Sequence, residues 1–334
     1  MATMKDVARL ASVSIATVSA TLSGASFVSP ALKERVLAAI DELGYAPNAI
    51  ASGLKSGKSS LIGLVVPDIT NPFFTELVHA VQRKAAAAGF TVLLGVSDDH
   101  AGAEADLIRL MRSHQASGTI ISPGSSEEDC GKLVEIAGKM PLVMLDNAPP
   151  SARADTVVID NRKAAQLATD HILSFGHRRV ATVSGPSHRF VSRERLYGFE
   201  ASLENHGIEP LPDYVRRGDF HVAEACKAGL ELINLPDRPT AIFVANNQML
   251  IGVMQAVAQA GLSVPRDISI AAIDDFPWAP AFSPALTTVR QPIDAMADAA
   301  LSCLMSRLNG NSEPAQRILL QPELVVRRSC GPPP

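Results

Sequence analysis

Aromatic residues are scarce in this 334-residue chain, at 4% with a single tryptophan, Trp278. Charged residues are also few at 19%, whereas 47% of positions are hydrophobic. That balance excludes a disordered chain and suits an Ala/Val/Leu/Ile-rich soluble α/β protein. Cysteine is limited to Cys130, Cys226, Cys303 and Cys330, far apart and without a C-x-x-C pair. A disulfide framework and a zinc site are thereby disfavoured, and reduced thiols in a cytoplasm are expected. No apolar run reaches membrane-spanning length. The opening MATMKDVARL scatters charges and has no apolar core, so no signal peptide and no membrane association are expected. Catalytic signatures are missing too: no G-x-S-x-G, H-E-x-x-H or G-x-G-x-x-G occurs, and the eight histidines are dispersed. Neither enzymatic chemistry nor a bound cofactor or metal is expected. His177, in FGHRRV just before a strand, reads as structural.

The net charge of −4 argues by itself against a nucleic-acid binder, but it is unevenly spread. Residues 1–60 carry six Lys/Arg against four acids, a balance of +2, leaving −6 for the remainder. Attraction to a polyanion is therefore confined to the N-terminal end. There, Thr3 to Gly24 has the form of a helix-turn-helix. Thr3 and Asp6 have capping-box spacing, and Val7, Leu10 and Ala11 make one apolar face. Val13 fills the turn and Ser14 caps a second helix, Ile15 to Leu22, that buries Val18 and Leu22 and exposes Ala16, Ser19 and Ala20. Small outward residues let such a helix press into a DNA major groove, with the Ser14, Thr17 and Ser19 hydroxyls in reach of phosphates or base edges. The plainer alternative is a small three-helix bundle without that role.

KDVARLASVSIATVS followed by VSPALKERVLAAIDELGYAPNAIA resembles the start of a LacI/GalR-family transcription regulator. The likeness continues through LIGLVVPDITNPFF, FGHRRVATVSGP, ANNQMLIGVMQA and SPALTTVRQP, so it spans nearly the whole chain. It implies a small all-α DNA-binding domain followed by a two-lobed, periplasmic-binding-protein-like effector domain with parallel, doubly wound sheets. The implied boundaries are 1–47 for the DNA-binding domain, 48–60 for a hinge helix and linker, and 61–334 for the effector and dimerisation domain. Within the last, one lobe takes about 61–160 and 291–321, the other about 161–290 and 322–330.

Chain features agree with that division. Ser29 is placed to cap a third helix with Pro30 at its first position, and Gly44 ends it. Residues 48–60, NAIASGLKSGKSS, contain too few apolar side chains to bury and read as a linker. A P-loop reading of Gly53, Gly57, Lys58 and Ser59 fails, because the glycines are too close and the strand follows rather than precedes them. The resemblance gives the segment another role, a hinge helix from about Asn48 to Ser56 that orders on DNA with Leu54 as a minor-groove wedge. It extends the DNA-contacting set of Ser14, Ile15, Ala16, Thr17, Ser19 and Ala20 to Thr3, Ser29, Asn48, Ala51, Leu54 and Lys55. Relatives often carry Arg where this chain has Ala20, so the usual bidentate guanine contact is missing and readout is expected to move to Ile15, Ala16, hydroxyls and hinge deformation.

From Leu61 onward, apolar runs alternate with amphipathic helices in two sets, which implies two parallel sheets. Helix ends are expected at Gly89, at Ser117-Gly118 and at Gly138. In such sheets a ligand sits beyond the carboxyl ends of the strands. Those ends carry Asp68, Asn71, Asp98, Asp99, Asp146, Asn147, Asn246, Asn247, Asp274 and Asp275, some of which are expected as turn formers or helix caps anyway. The resemblance selects Asp146, Arg195, Asn246 and Asp274 as effector contacts, with Phe73, Arg189, Phe220 and Trp278 as walls. Carboxylates, amides, an arginine fork and apolar ring faces suit a sugar or sugar derivative.

The expected function is a homodimeric repressor on double-stranded operator DNA, controlled by that effector, with pairing of dimers left open. A purine- or nucleoside-responsive, corepressor-dependent regulator is the nearest rival. A sugar-binding receptor without DNA function is the rival from another class.

Overall fold

Strands buried on both faces read as near-continuous apolar runs, and Leu61–Val66 and Leu142–Leu145 of this protein do. In the computed structural model, which describes residues 2–22, 28–45, 59–124 and 126–334, the chain divides into residues 1–59 and 60–334.

The first unit contains α1 (Met4–Leu10), α2 (Ile15–Leu22) and α3 (Pro30–Leu43). Thr3 and Asp6 form the capping box in full: the Thr3 hydroxyl donates to Asp6 at 2.7 Å and accepts the Asp6 N–H at 3.3 Å, and Asp6 accepts the Thr3 N–H at 3.0 Å. Val7, Ala8, Ala11, Val18, Val36 and Ala39 make the core. Leu10 does not join it; it is 43% exposed, while Ala8 takes an inward position. On α2, Val18 and Thr21 are buried while Leu22, Ser19 and Ala20 are only half-covered. Ser29 occupies the N-cap of α3 without a side-chain capping bond, so Pro30 alone defines that start. Gly44 ends α3 in the left-handed region at φ 56°, where a side chain would be strained. Arg35 reaches from α3 to the Ala11 carbonyl at 2.5 Å, satisfying an acceptor at the end of α1. The expected hinge, including Asn48, Ala51, Leu54 and Lys55, lies outside the described residues, as does the Pro47 boundary.

In the second unit, β1 (Leu61–Val66), β2 (Thr91–Val96), β3 (Gly118–Ile121), β4 (Leu142–Leu145), β5 (Asp155–Ile159) and β11 (Arg317–Leu320) form one sheet, ordered β11-β5-β4-β3-β1-β2. All its pairings are parallel. The other sheet takes β6 (Val180–Ser184), β7 (Val215–Arg217), β8 (Ala241–Val244), β9 (Ser269–Ile273), β10 (Thr287–Arg290) and β12 (Glu323–Val325), ordered β12-β10-β9-β8-β6-β7. Here β12 runs antiparallel on β10, a departure from an all-parallel sheet. The chain passes between the sheets after β5, after β10 and after β11, so each lobe is assembled from separate stretches.

The helices are α4 (Pro72–Ala87), α5 (Ala101–Ser113), α6 (Glu127–Ala137), α7 (Asn161–Leu173), α8 (Phe190–Asn205), α9 (Val222–Ile233), α10 (Asn247–Gln259) and α11 (Ile293–Leu308). α5 stops earlier than the Ser117-Gly118 pair suggests: Gln115 makes the turn at φ 55°, and Gly118 opens β3. One apolar core runs from β1, β3 and β4 through α11 and α7 to β8 and β9, joining the lobes into a continuous body. His177 is buried and structural, bonded to Thr240 at 2.8 Å and the Gly331 carbonyl at 2.8 Å.

Candidate functional site

In the first unit the outward residues of α2 are concentrated in its first turn. Ile15 is 43% exposed and Ala16 is exposed. The Ser14 hydroxyl caps the helix by accepting the Thr17 N–H at 3.1 Å, and the Ser14 and Thr17 hydroxyls lie 2.9 Å apart. These hydroxyls are therefore held in place by the helix start, beside a small apolar knob made by Ile15 and Ala16.

In the second unit a cavity of about 170 Å³ opens at the carboxyl ends of the strands of both sheets. Asp146 follows β4, Phe220 follows β7, Asn246 follows β8 and Asp274 follows β9, while Arg189 and Arg195 come from the start of α8. Phe73 enters from the first turn of α4, beneath Phe74, with ring centroids 4.9 Å apart.

The backbone around this cavity is unusual. Asp98, Asp99, Asp146, Asp219, Phe220 and Asp274, all in turns at its edge, have φ between 48° and 72°. Aspartate tolerates that region through local hydrogen bonds, but phenylalanine does not. Holding Phe220 there costs on the order of 1–3 kcal/mol, which the surrounding fold must supply.

Polar groups are buried to match. Arg195 is only 3% exposed, donates to Asn161 at 2.8 Å and to the Ala245 carbonyl at 2.6 Å, and stands 3.8 Å from the Asp274 carboxylate. Asp274 accepts from the Gln291 amide at 2.6 Å. Burial raises the Asp274 carboxyl above its ordinary range, while Arg195 and the Gln291 bond pull it back. Asp146 is pushed up to about 6, chiefly by burial, with Arg195 opposing and Asp274 adding to the shift. Ser122 bonds one Asp146 oxygen at 3.3 Å; the other is buried and has no hydrogen-bond partner among the described residues. Asn246 does what a turn former does, accepting the Met249 N–H at 2.9 Å, yet it also lines the cavity.

Seven of the expected positions, Phe73, Asp146, Arg189, Arg195, Phe220, Asn246 and Asp274, come together here. Trp278 does not line this cavity: it is 50% exposed, edge-on to Phe276 at 5.4 Å, and faces a small separate notch with Thr70 and Pro72. Asp275 is likewise drawn away, bonded by Thr288 at 2.6 Å and paired with Arg290 and Arg327, which hold its carboxyl below the usual range against the cost of burial. Sequence reasoning missed Gln291, His221 and Val191 as lining residues. Gln291 had a signal, since it directly follows β10 where the chain crosses between sheets.

Residues 3–48 match the family described as "Bacterial regulatory proteins, lacI family", and residues 169–330 match the "Periplasmic binding protein-like domain". The "HTH-type transcriptional repressor PurR" of Photobacterium profundum is 35% identical, over 98% of this chain and 98% of its own. The chain belongs to the LacI family. Another member, the "Ribose operon repressor" of Escherichia coli, is 36% identical over 99% of this chain and 100% of its own. Among solved structures, the lac repressor dimer bound to operator and an anti-inducer superposes with a TM-score of 0.89 at 28% identity, covering 98% of each chain. The LacI-family relatives are transcriptional repressors, and this protein is accordingly a DNA-binding repressor under small-molecule control rather than an enzyme. No helix among the described residues is long and apolar enough to cross a membrane.

Proposed function

We propose that the effector is a polyhydroxylated ring of monosaccharide size, held between Asp146, Arg195, Asn246 and Asp274. The observation that carries this reading is the buried, unpartnered oxygen of Asp146 in a cavity rich in carboxylate acceptors. An ionised carboxylate only accepts hydrogen bonds, so such a lining calls for a ligand with many donors, and sugar hydroxyls supply them. At about 170 Å³ the cavity is well below the ~300–1,000 Å³ of sites for larger ligands, which suits one ring rather than two. Phe73 and Phe220 provide the apolar faces.

A purine is the second reading. It is favoured by the Arg189 guanidinium lying 5.2 Å over the Phe220 ring, a flat surface on which a base can stack. Calorimetric titration with a panel of monosaccharides and purines decides between them: purines binding to the exclusion of sugars would overturn the sugar reading.

On the DNA side, the reading is that two copies pair and place their α2 helices in the major grooves of two operator half-sites, in the cytoplasm. Support comes from the exposed first turn of α2 and from the lac repressor dimer on operator as a relative. Ile15 and Ala16 offer methyl groups to thymine, and Ala20 offers no guanine contact. Selection from random DNA tests this; a strict guanine requirement facing Ala20 would contradict it. Effector control follows from linkage, in which a ligand that favours one arrangement of the lobes changes operator affinity by its preference for that arrangement.

A further inference from the structure

Five aspartates and two arginines line the cavity, and the two arginines are used differently. Arg195 is fixed by Asn161 and the Ala245 carbonyl. Arg189, 8% exposed, instead pairs with Asp99, which belongs to the turn after β2 in the other sheet. Three features of the fold build this pair. Asp99 is held at φ 62°. The Arg189 guanidinium is backed by the Phe220 ring. Gly124 leaves the space the pair fills, since a Cβ there would stand 2.5 Å from the Asp99 oxygen and 3.1 Å from Arg189 Nη2. The Nε of Arg189 is buried and has no hydrogen-bond partner among the described residues.

We propose that Asp99 is the charge filter of the effector cavity: by occupying the Arg189 guanidinium it excludes carboxylate- or phosphate-bearing rings and admits neutral ones. The proposal rests on the assignment of this cavity as the effector site. A neutral ligand can accept from the spare Nε–H of Arg189 and leave the ion pair intact. An anionic ligand meets a lining with more acids than bases, and gains a guanidinium only by displacing Asp99 from it. Specificity is then set by a repulsive element as much as by attractive ones. Asparagine at position 99 keeps the shape, tolerates a positive φ and removes only the charge.

The test is calorimetric titration of the full-length protein, wild type and Asp99→Asn, with matched neutral and anionic probes: D-glucose and D-glucuronate, D-ribose and ribose 5-phosphate, hypoxanthine and urate. Wild type should bind the neutral member of the responding pair at least about tenfold more tightly, and Asp99→Asn should shrink that ratio by about tenfold or invert it. Adding Arg189→Gln to Asp99→Asn should remove the gain in anion binding, because the freed cation is gone. A purely structural role for Asp99 would weaken both members equally; an unchanged ratio therefore overturns the filter, as does a wild-type preference for the anion. If hypoxanthine and urate alone respond, the sugar reading fails, while the ratio within that pair still decides the filter.

Discussion

The two units of this repressor treat polar groups in opposite ways. Among the described residues of the first unit, Thr21 is the sole buried polar side chain, and the core is made of valines and alanines. In the second, aspartates, asparagines and arginines are buried together at the strand ends, Asp146 and Asp274 at positive φ. A surface that presents methyls and hydroxyls to DNA needs only a stable platform. A cavity that selects a small molecule must desolvate its own acceptors first, and the fold around it bears that cost. The described residues of the first unit thus rest on a few buried apolar side chains, whereas the second buries polar groups around a cavity.

Breaking the small core should act on stability and on operator binding together. Val36 is fully buried among the six core side chains of the unit's described residues, so Val36→Ala should cost about 2 kcal/mol locally and lower operator affinity at least tenfold. Effector affinity, measured by calorimetry, should not move. Equal loss of both would mean that the units are not energetically separable.

The built-in cost of the second unit can be exposed by pH. Asp146 sits at about 6 when folded, against roughly 3.9 for an unfolded aspartate. Below the unfolded value both states are protonated and the group contributes nothing unfavourable. As pH rises through the interval the unfolded chain gives up its proton first, so stability falls, by about 3 kcal/mol once the folded carboxyl has ionised too. Asp146→Asn should thus be more stable than wild type in urea unfolding at pH 7.5, with the advantage fading towards pH 4, and should bind the effector less well. A variant less stable than wild type at pH 7.5 would show that the buried carboxylate is not under strain.

A smaller effect is expected at the exposed knob of α2. Ile15→Ala removes surface rather than core, so thermal unfolding should stay within about 0.5 kcal/mol of wild type. Operator affinity should fall by roughly 1 kcal/mol if the methyl groups read thymine, as binding to thymine-substituted operators would reveal.

How much of this was legible depends on the range of the interactions. Apolar runs and turn residues announced the strands and helices, because period and capping are local: the Thr3–Asp6 box and the Gly44 stop are where their spacing puts them. The strand-end rule located Asp146, Asn246 and Asp274 without any knowledge of pairing. What escaped was set by contacts across long separations. Asp99 meets Arg189 across the two sheets, and Gln291 meets Asp274 through the pairing of β9 with β10, neither of which a window of sequence contains. Trp278 was misplaced for the same reason, since a lone aromatic near a strand end does not reveal which way its turn leads. Leu10 shows the limit at short range: it shares an apolar spacing with the buried Val7 and Ala11, and that spacing does not say which edge of the face the core covers.

The central claim is that the cavity of the second unit controls what the first unit does on DNA. Its most direct test is a fluorescence-anisotropy titration of labelled operator, for wild type and Asp274→Ala, with and without a saturating ligand found by calorimetry on the wild type. Asp274 is buried, and bonded to Gln291. Its loss should cost about 2 kcal/mol or more in ligand binding and little in operator binding. Wild-type operator affinity should change about fivefold or more on adding ligand, while Asp274→Ala should bind operator as wild type does and fail to respond at the same ligand concentration. A variant that responds like wild type, or a wild type whose operator affinity ignores every ligand that occupies the cavity, would contradict the account.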